Sequence, residues 1–182
     1  TLPGATNHGM VMVLDWSGSM CENLKGTIEQ LFQLVMFCRR TKIPFEVFAF
    51  TSCYLENNGY YNSGGVVNVN YGEVTISKNM RLLNFFSSKM SAAEEEKMMH
   101  YLWMIAKRYN RTYEDWSTTG YPMSPPNEYS LGGTPLNDAI IALMDFLPKY
   151  KKASGVQKIN TIFLTDGASN NMPGVKDTDG NN

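Results

Sequence analysis

The segment Met10–Ser19 has the sequence Met-Val-Met-Val-Leu-Asp-Trp-Ser-Gly-Ser, and it decides the fold class. Its continuous apolar run is typical of a strand that is buried on both faces of a parallel sheet. The run ends at Asp15, and Ser17 and Ser19 follow at alternate positions with Gly18 between them. If the loop after the strand curls, which Gly18 permits, three oxygen-bearing side chains converge.

Helix-like and strand-like patterns alternate along the rest of the chain. Helices are predicted from Glu22 to about Lys42, from the capping box Ser91-Ala92-Ala93-Glu94 onward, and from Pro135 to about Tyr150. Further strands are predicted at Phe45–Thr51, on both sides of a turn within Val66–Ile76, and at Lys158–Thr165, with a long loop at Thr112–Gly133. We therefore predict one α/β domain over residues 1–182, with an ordered core at about 9–170 and a polar tail at 171–182. Its sheet is expected to be doubly wound (Rossmann-like) and mainly parallel, with helices on both faces.

The composition excludes several classes of protein. Sixteen basic and seventeen acidic residues give a net charge of −1, so no global field attracts nucleic acid or an anionic membrane. No apolar run approaches the roughly 20 residues that span a bilayer, and no signal-peptide pattern stands at the start. The three cysteines, Cys21, Cys38 and Cys53, are odd in number and widely spaced, which indicates reduced thiols. We therefore expect a cytoplasmic protein.

Two more polar positions accompany the ends of predicted elements. Ligands of doubly wound sheets bind outside the carboxyl ends of the strands, where the strand order reverses. Asp15 ends the first predicted strand and Asp166 follows the last one, so both carboxylates lie at that crevice if these strands are neighbours. Thr134 stands at the start of a predicted helix. Each residue also has a purely structural interpretation: Ser19 as part of a capping box, Thr134 as an N-cap, and Asp166 as a turn residue.

The chemistry of this set indicates a hard cation. Two carboxylates and three hydroxyls, without His or Cys, suit Mg²⁺, Mn²⁺ or Ca²⁺ rather than zinc. Such a site leaves room for waters and for one more oxygen ligand, which an Asp or Glu of a protein partner would supply.

The pattern Asp15-x-Ser17-x-Ser19, followed by Thr134 and Asp166, resembles the metal-ion-dependent adhesion site (MIDAS) of von Willebrand factor A domains. The resemblance implies that Ser17, Ser19 and Thr134 are direct ligands of Mg²⁺. It implies that Asp15 and Asp166 act largely through waters, and that the bound metal recognises a partner's carboxylate.

Three segments are similar to intracellular members of that superfamily, namely Leu14–Met20, Gly133–Leu136 and Leu164–Gly167. They are most similar to the A domain of the cobaltochelatase T subunit, including T-like proteins of tailed phages. This resemblance implies a MoxR-like AAA+ ATPase as partner, in the host cytoplasm if the chain is phage-encoded. The family continues past the last strand with two further strand-helix units, whereas 16 residues follow Asp166 here. We therefore expect that either the chain is a fragment or the sheet is short, with one edge of its last strand uncovered.

Enzyme activity is not expected. Ser17 does not stand in a Gly-x-Ser-x-Gly elbow, because Asp15 occupies the first glycine position, and there is no Walker A run. An acyl-phosphate hydrolase with Asp15 as nucleophile would lack its usual second acid, since Ser17 stands there. The prediction is a metal-binding adaptor domain. A metal-dependent phosphohydrolase, and a virion or scaffold component without a metal role, are the alternatives.

Overall fold

The computed structural model describes residues 7–52, 74–77, 79–109 and 125–170, and the strands within them form one sheet. The strands are β1 (His8–Asp15), β2 (Phe45–Ser52), β3 (Met80–Ser87) and β4 (Lys158–Leu164). Their order is β3-β2-β1-β4; β1 pairs in parallel with β2 and β4, and β2 pairs with β3 in antiparallel fashion. The strand order therefore reverses between β1 and β4, as it does in doubly wound sheets.

Helices cover both faces of this sheet. They are α1 (Leu24–Thr41), α2 (Ala92–Tyr109) and α3 (Leu136–Ser154), with 3₁₀ turns at Gly18–Glu22 and Asn127–Tyr129. Met12 and Leu14 of β1 pack with α1 and α2, whereas Val11 and Val13 pack with α3 on the opposite face. Because alternate residues of β1 point to opposite faces, this strand is buried on both sides. The predicted α/β class, the mainly parallel sheet and the two helical layers are confirmed.

Local signals account for several helix boundaries. At the start of α2, the Glu94 amide donates to the Ser91 hydroxyl (3.3 Å) and the Ser91 amide donates to the Glu94 carboxylate (2.8 Å). This is the capping box predicted from the sequence. At its C-terminal end, α3 stops at Gly155, which has a left-handed backbone (φ 69°) that glycine adopts without steric cost.

Strand β3 was not predicted, and a β-bulge explains why. Val47 of β2 pairs with Phe86, but the next residue, Phe48, pairs with Asn84, so Phe85 is the extra residue of β3. The bulge places Phe85 and Phe86 both in the core, which breaks the alternation by which strands are recognised.

Several predictions fall wholly or partly outside the described residues. Residues 74–76, the end of the predicted strand-turn-strand, have no regular structure, and the rest of that segment lies outside. Residues 112–124 of the predicted long loop, Cys53 and the predicted tail at 171–182 also lie outside the described residues. Cys21 and Cys38 carry free thiols. Of the helices that are described, none is long and apolar enough to cross a membrane.

The last strand is less enclosed than its neighbour. Within the part of the chain that the structure describes, β4 pairs with β1 alone, and its residues are half-buried or exposed whereas most of β1 is buried. Ile140 and Met144 of α3 are also exposed, by 42% and 69%.

Candidate metal centre

The carboxyl ends of β1 and β4 bring the two predicted acids together. Leu14 pairs with Leu164 across the two parallel strands, so the residues that follow both leave the sheet at the same edge. Asp15 is the last residue of β1, and Asp166 lies two residues beyond the end of β4. The two carboxylates therefore lie at the reversal of strand order, which is the position predicted for them from the sequence.

Asp15 is fully buried and only half satisfied. Its Oδ2 accepts a 2.7 Å hydrogen bond from the Thr165 hydroxyl, whereas its Oδ1 is buried and has no hydrogen-bond partner within the described residues. Burial raises the pKa of the Asp15 carboxyl above its usual value; Thr165 and Ser17 oppose this shift, and the nearby charge of Asp166 adds to it. An ionised Asp15 is therefore unfavourable here unless a cation compensates it.

A chain of hydroxyls joins the two acid-bearing loops. Ser17 Oγ lies 2.9 Å from Ser19 Oγ, and Ser19 Oγ donates to Asp166 Oδ1 at 3.0 Å. An ionised carboxylate only accepts, so the single proton of Ser19 is used on Asp166, and Ser17 must be the donor to Ser19. Both serine oxygens therefore keep lone pairs that could coordinate a cation.

Two glycines bring the segment before α3 against the ends of β1 and β2. The Gly18 amide donates to the Gly132 carbonyl at 2.8 Å, and Gly133 and Ser52 exchange hydrogen bonds of 3.1 and 3.3 Å. A Cβ on Gly132 would overlap the Ser52 carbonyl oxygen, and a Cβ on Gly133 would lie 2.5 Å from Ser52 Oγ. Only glycine allows this close approach of two backbones.

Thr134 reaches the same edge of the sheet through its backbone. It is 9% exposed, and its carbonyl accepts a 2.8 Å hydrogen bond from the amide of Asn170, in the loop after β4. Within the described residues, no hydrogen bond joins the Thr134 hydroxyl to the other four predicted ligands. The structure thus links Ser17, Ser19 and Asp166 through their side chains and Asp15 to the neighbouring Thr165, whereas Thr134 is joined to the loop after β4 through its main chain.

The capping interpretations of Ser19 and Thr134 are wrong. The N-caps of α1 and α3 are Asn23 and Pro135, and neither makes a side-chain capping hydrogen bond. The first turn of α3 is instead capped from outside, since the Asn137 amide donates to Ser169 Oγ at 3.1 Å. The turn interpretation of Asp166 holds, because the Gly167 amide closes that turn on Thr165 Oγ1 at 3.3 Å. The Asp166 side chain remains available for the site.

Trp16 packs beneath the site. It is fully buried, meets Phe85 edge-on at 5.0 Å between ring centroids, and donates from Nε1 to the Tyr129 carbonyl at 2.9 Å. Of the two roles weighed for this residue, shielding the metal or packing over the sheet, these contacts support packing. Trp16 thereby anchors the loop that leads to Thr134.

Sequence reasoning did not single out Thr165. It lies next to Asp166 and is exposed, yet it donates to the buried Asp15 across 150 positions of sequence. The only local signal was a hydroxyl residue between the end of a strand and an acid.

The donor set is compatible with a hard cation. Among the described residues, no three His, Cys, Asp or Glu side chains converge, so the candidate centre is of the carboxylate–hydroxyl kind. Oxygen-only sets of this kind fit Mg²⁺, Mn²⁺ or Ca²⁺, and the unpartnered Asp15 Oδ1 is a buried group that such a cation would satisfy.

Comparisons with models of known protein families, with curated proteins and with solved structures find no match. What can be inferred about function therefore comes from the five predicted side chains and their geometry.

Proposed function

We propose that this chain is a metal-binding, protein-interaction domain of the von Willebrand factor A type. In this proposal Asp15, Ser17, Ser19, Thr134 and Asp166 hold Mg²⁺, and the bound metal recognises a carboxylate of a partner protein. The observation that carries the proposal is the buried Oδ1 of Asp15, which has no partner among the described residues although a second carboxylate lies close by.

Electrostatics favours a cation at this position. Burial makes the ionised Asp15 unfavourable, and the nearby charge of Asp166 adds to that cost. A divalent cation neutralises both charges and supplies a partner for Asp15 Oδ1. Mg²⁺ binds through one or two carboxylates and keeps several waters, which agrees with two acids and three neutral hydroxyls. Mn²⁺ and Ca²⁺ have similar donor preferences and are expected to compete.

The layering of the site supports recognition of a partner. Asp15 and Ser17 are buried, whereas Ser19 and Asp166 are exposed above them. A cation held between these layers faces solvent, where an exchangeable water can give way to an Asp or Glu of another protein. The positive charge of the cation would attract that carboxylate and set the orientation of the complex.

The resemblance to the cobaltochelatase T subunit extends this proposal to a partner class. The chain would act in the cytoplasm as the adaptor of a MoxR-like AAA+ ATPase, in a chelatase-like or remodelling complex, without catalysis of its own. The contact would consist of one acidic side chain of the partner on the metal.

Titration of Mg²⁺, Mn²⁺ and Ca²⁺ into the metal-free chain tests the metal part of the proposal. Wild type is expected to bind with heat release or uptake that disappears in Asp15→Ala, a variant that removes one carboxylate. Absence of binding by wild type at millimolar metal would refute the site.

A pull-down of a MoxR-like ATPase with and without EDTA tests the interaction part. We expect capture that needs Mg²⁺ and is lost in Asp15→Ala. Capture that persists in EDTA and in Asp15→Ala would instead support a scaffold role without metal. A screen with a chromogenic phosphate ester and Mg²⁺ addresses the remaining class, since turnover abolished by Asp15→Ala would indicate a phosphohydrolase.

A further inference from the structure

We propose that Thr165 is a positioning residue of this centre, and that its single hydroxyl orients both carboxylates for the cation. The inference rests on the proposed metal-binding function. It concerns a residue outside the five predicted ligands, and it assigns to Thr165 a role in the affinity of the site rather than in contact with the metal.

The first step is the contact with Asp15. The Thr165 hydroxyl has one proton, and at 2.7 Å from Asp15 Oδ2 it is donated to that oxygen. Oδ2 is thereby occupied, and the carboxylate cannot rotate without losing this hydrogen bond. The oxygen left for a cation is Oδ1, which is buried and unpartnered within the described residues.

The second step is the contact with the turn that carries Asp166. The Gly167 amide donates to Thr165 Oγ1 at 3.3 Å, so a lone pair of the same hydroxyl closes the turn around Asp166. A longer contact to the Gly167 carbonyl, 3.4 Å, is secondary to the bond with Asp15. From this turn, Asp166 Oδ1 accepts the 3.0 Å hydrogen bond from Ser19.

Both functions of the Thr165 oxygen are therefore used within the protein. Its proton is on Asp15 and one of its two lone pairs accepts from the Gly167 amide, so the hydroxyl connects both acid-bearing segments, and we assign it a positioning role. Hydrogen-bonding partners that orient metal ligands typically contribute 10- to 100-fold to metal affinity. The β-branched side chain also restricts χ1, which helps to keep the hydroxyl on Asp15.

The test compares Mg²⁺ affinity in Thr165→Val, which replaces the hydroxyl by a methyl group of similar size, with that in Thr165→Ser, which keeps the hydroxyl. We expect the Kd to rise by about 10- to 100-fold in Thr165→Val and to stay within a few-fold of wild type in Thr165→Ser. Thr161→Val is the matched control: it makes the same change in β4, where no hydrogen bond of the Thr161 hydroxyl is found within the described residues. Its Kd should be unchanged.

Thermal unfolding in EDTA and in saturating Mg²⁺ separates positioning from a merely structural role. If Thr165 only supports the fold, Thr165→Val lowers the Tm equally in both conditions and leaves the Kd unchanged, which overturns the inference. Loss of Mg²⁺ affinity in Thr165→Ser as large as that in Thr165→Val also overturns it.

Two further outcomes distinguish the inference from the proposed function. Wild-type binding that Asp15→Ala abolishes and Thr165→Val leaves intact refutes the inference alone, whereas absence of wild-type binding refutes both. If Thr165→Val does not fold, Thr165→Cys replaces it, because a thiol is a weaker donor. Intermediate affinity is then expected, and wild-type affinity would refute the role of Thr165.

Discussion

Replacement of Asp15 by asparagine should leave the metal-free protein at least as stable as wild type and should remove the stabilisation by Mg²⁺. The substitution keeps the size of the side chain and removes its charge. Because burial raises the pKa of the Asp15 carboxyl in the folded chain, the stability associated with this group is fully present below its usual pKa of 3.8 and is lost as the pH rises through the folded-state pKa. At pH 7 without metal, the raised pKa of Asp15 therefore lowers the stability of the fold, and Asp15→Asn should be at least as stable as wild type.

Mg²⁺ should invert this relation. A ligand at 100 times its Kd adds roughly 2.7 kcal/mol to the free energy of unfolding. For a chain of this size, each kcal/mol shifts the Tm by roughly 2–4 °C, so wild type should gain about 5–11 °C. Asp15→Asn lacks the buried carboxylate oxygen that the cation would satisfy, and its Tm should move little.

Thermal unfolding followed by circular dichroism, in EDTA and in Mg²⁺ at pH 7, measures both effects. Asp145→Asn serves as the control: Asp145 is 74% exposed and pairs with Lys149 in an exposed i,i+4 contact on α3. Such a pair contributes about 0–1 kcal/mol, and its loss should be equal with and without metal. If Asp15→Asn were less stable than wild type in EDTA and still gained the full Mg²⁺ increment, Asp15 would be a structural acceptor only, and the reasoning would be refuted.

Three further predictions concern pH, the glycine contact and the packing of the helices. Without metal, the stability difference between wild type and Asp15→Asn should narrow as the pH falls from 7 toward 4, because the Asp15 carboxyl, whose pKa is raised in the folded chain, takes up its proton there before it does in the unfolded chain. Thermal melts from pH 7 to pH 4 measure this, and a constant difference would contradict it. Gly132→Ala should lower the free energy of unfolding in urea by about 1–3 kcal/mol and weaken Mg²⁺ binding, because its Cβ would overlap a backbone oxygen. The control Gly26→Ala lies in open space on α1 and should raise the free energy of unfolding by about 0.5–1 kcal/mol. Equal effects of the two substitutions would argue against the close contact at Gly132. Arg39→Met should lower the free energy of unfolding in urea by about 1.5–3 kcal/mol, because Arg39 donates to the Glu95 carboxylate (2.6 Å) and to three backbone carbonyls at the turn before α2. Arg40 is exposed, and an equal loss in the control Arg40→Met would show that the hydrogen bonds of Arg39 contribute nothing specific.

The parts of the fold that follow from near neighbours in sequence were predictable. The apolar run before Asp15 indicated a strand buried on both faces, and β1 is one. The capping box at Ser91 marked the start of α2. Both signals depend on residues within a few positions of each other, because helical and extended backbones repeat every 3.6 and 2 residues. Strand β3 was not predicted, because the extra residue Phe85 interrupts the two-residue repeat by which a strand is recognised.

Sequence alone named five oxygen-bearing side chains and the end of the sheet where they should meet, because residue type determines donor chemistry and alternating strands and helices determine which strand ends share an edge. It left open whether Ser19 and Thr134 cap helices, and it gave Thr165 no role. Those points depend on contacts between segments far apart in the chain: Asp15 meets Thr165 across 150 positions, and Ser19 meets Asp166 across 147. Such contacts arise only when β1 and β4 pair side by side, and that pairing is decided by how the sheet buries its two faces rather than by any local pattern of residues.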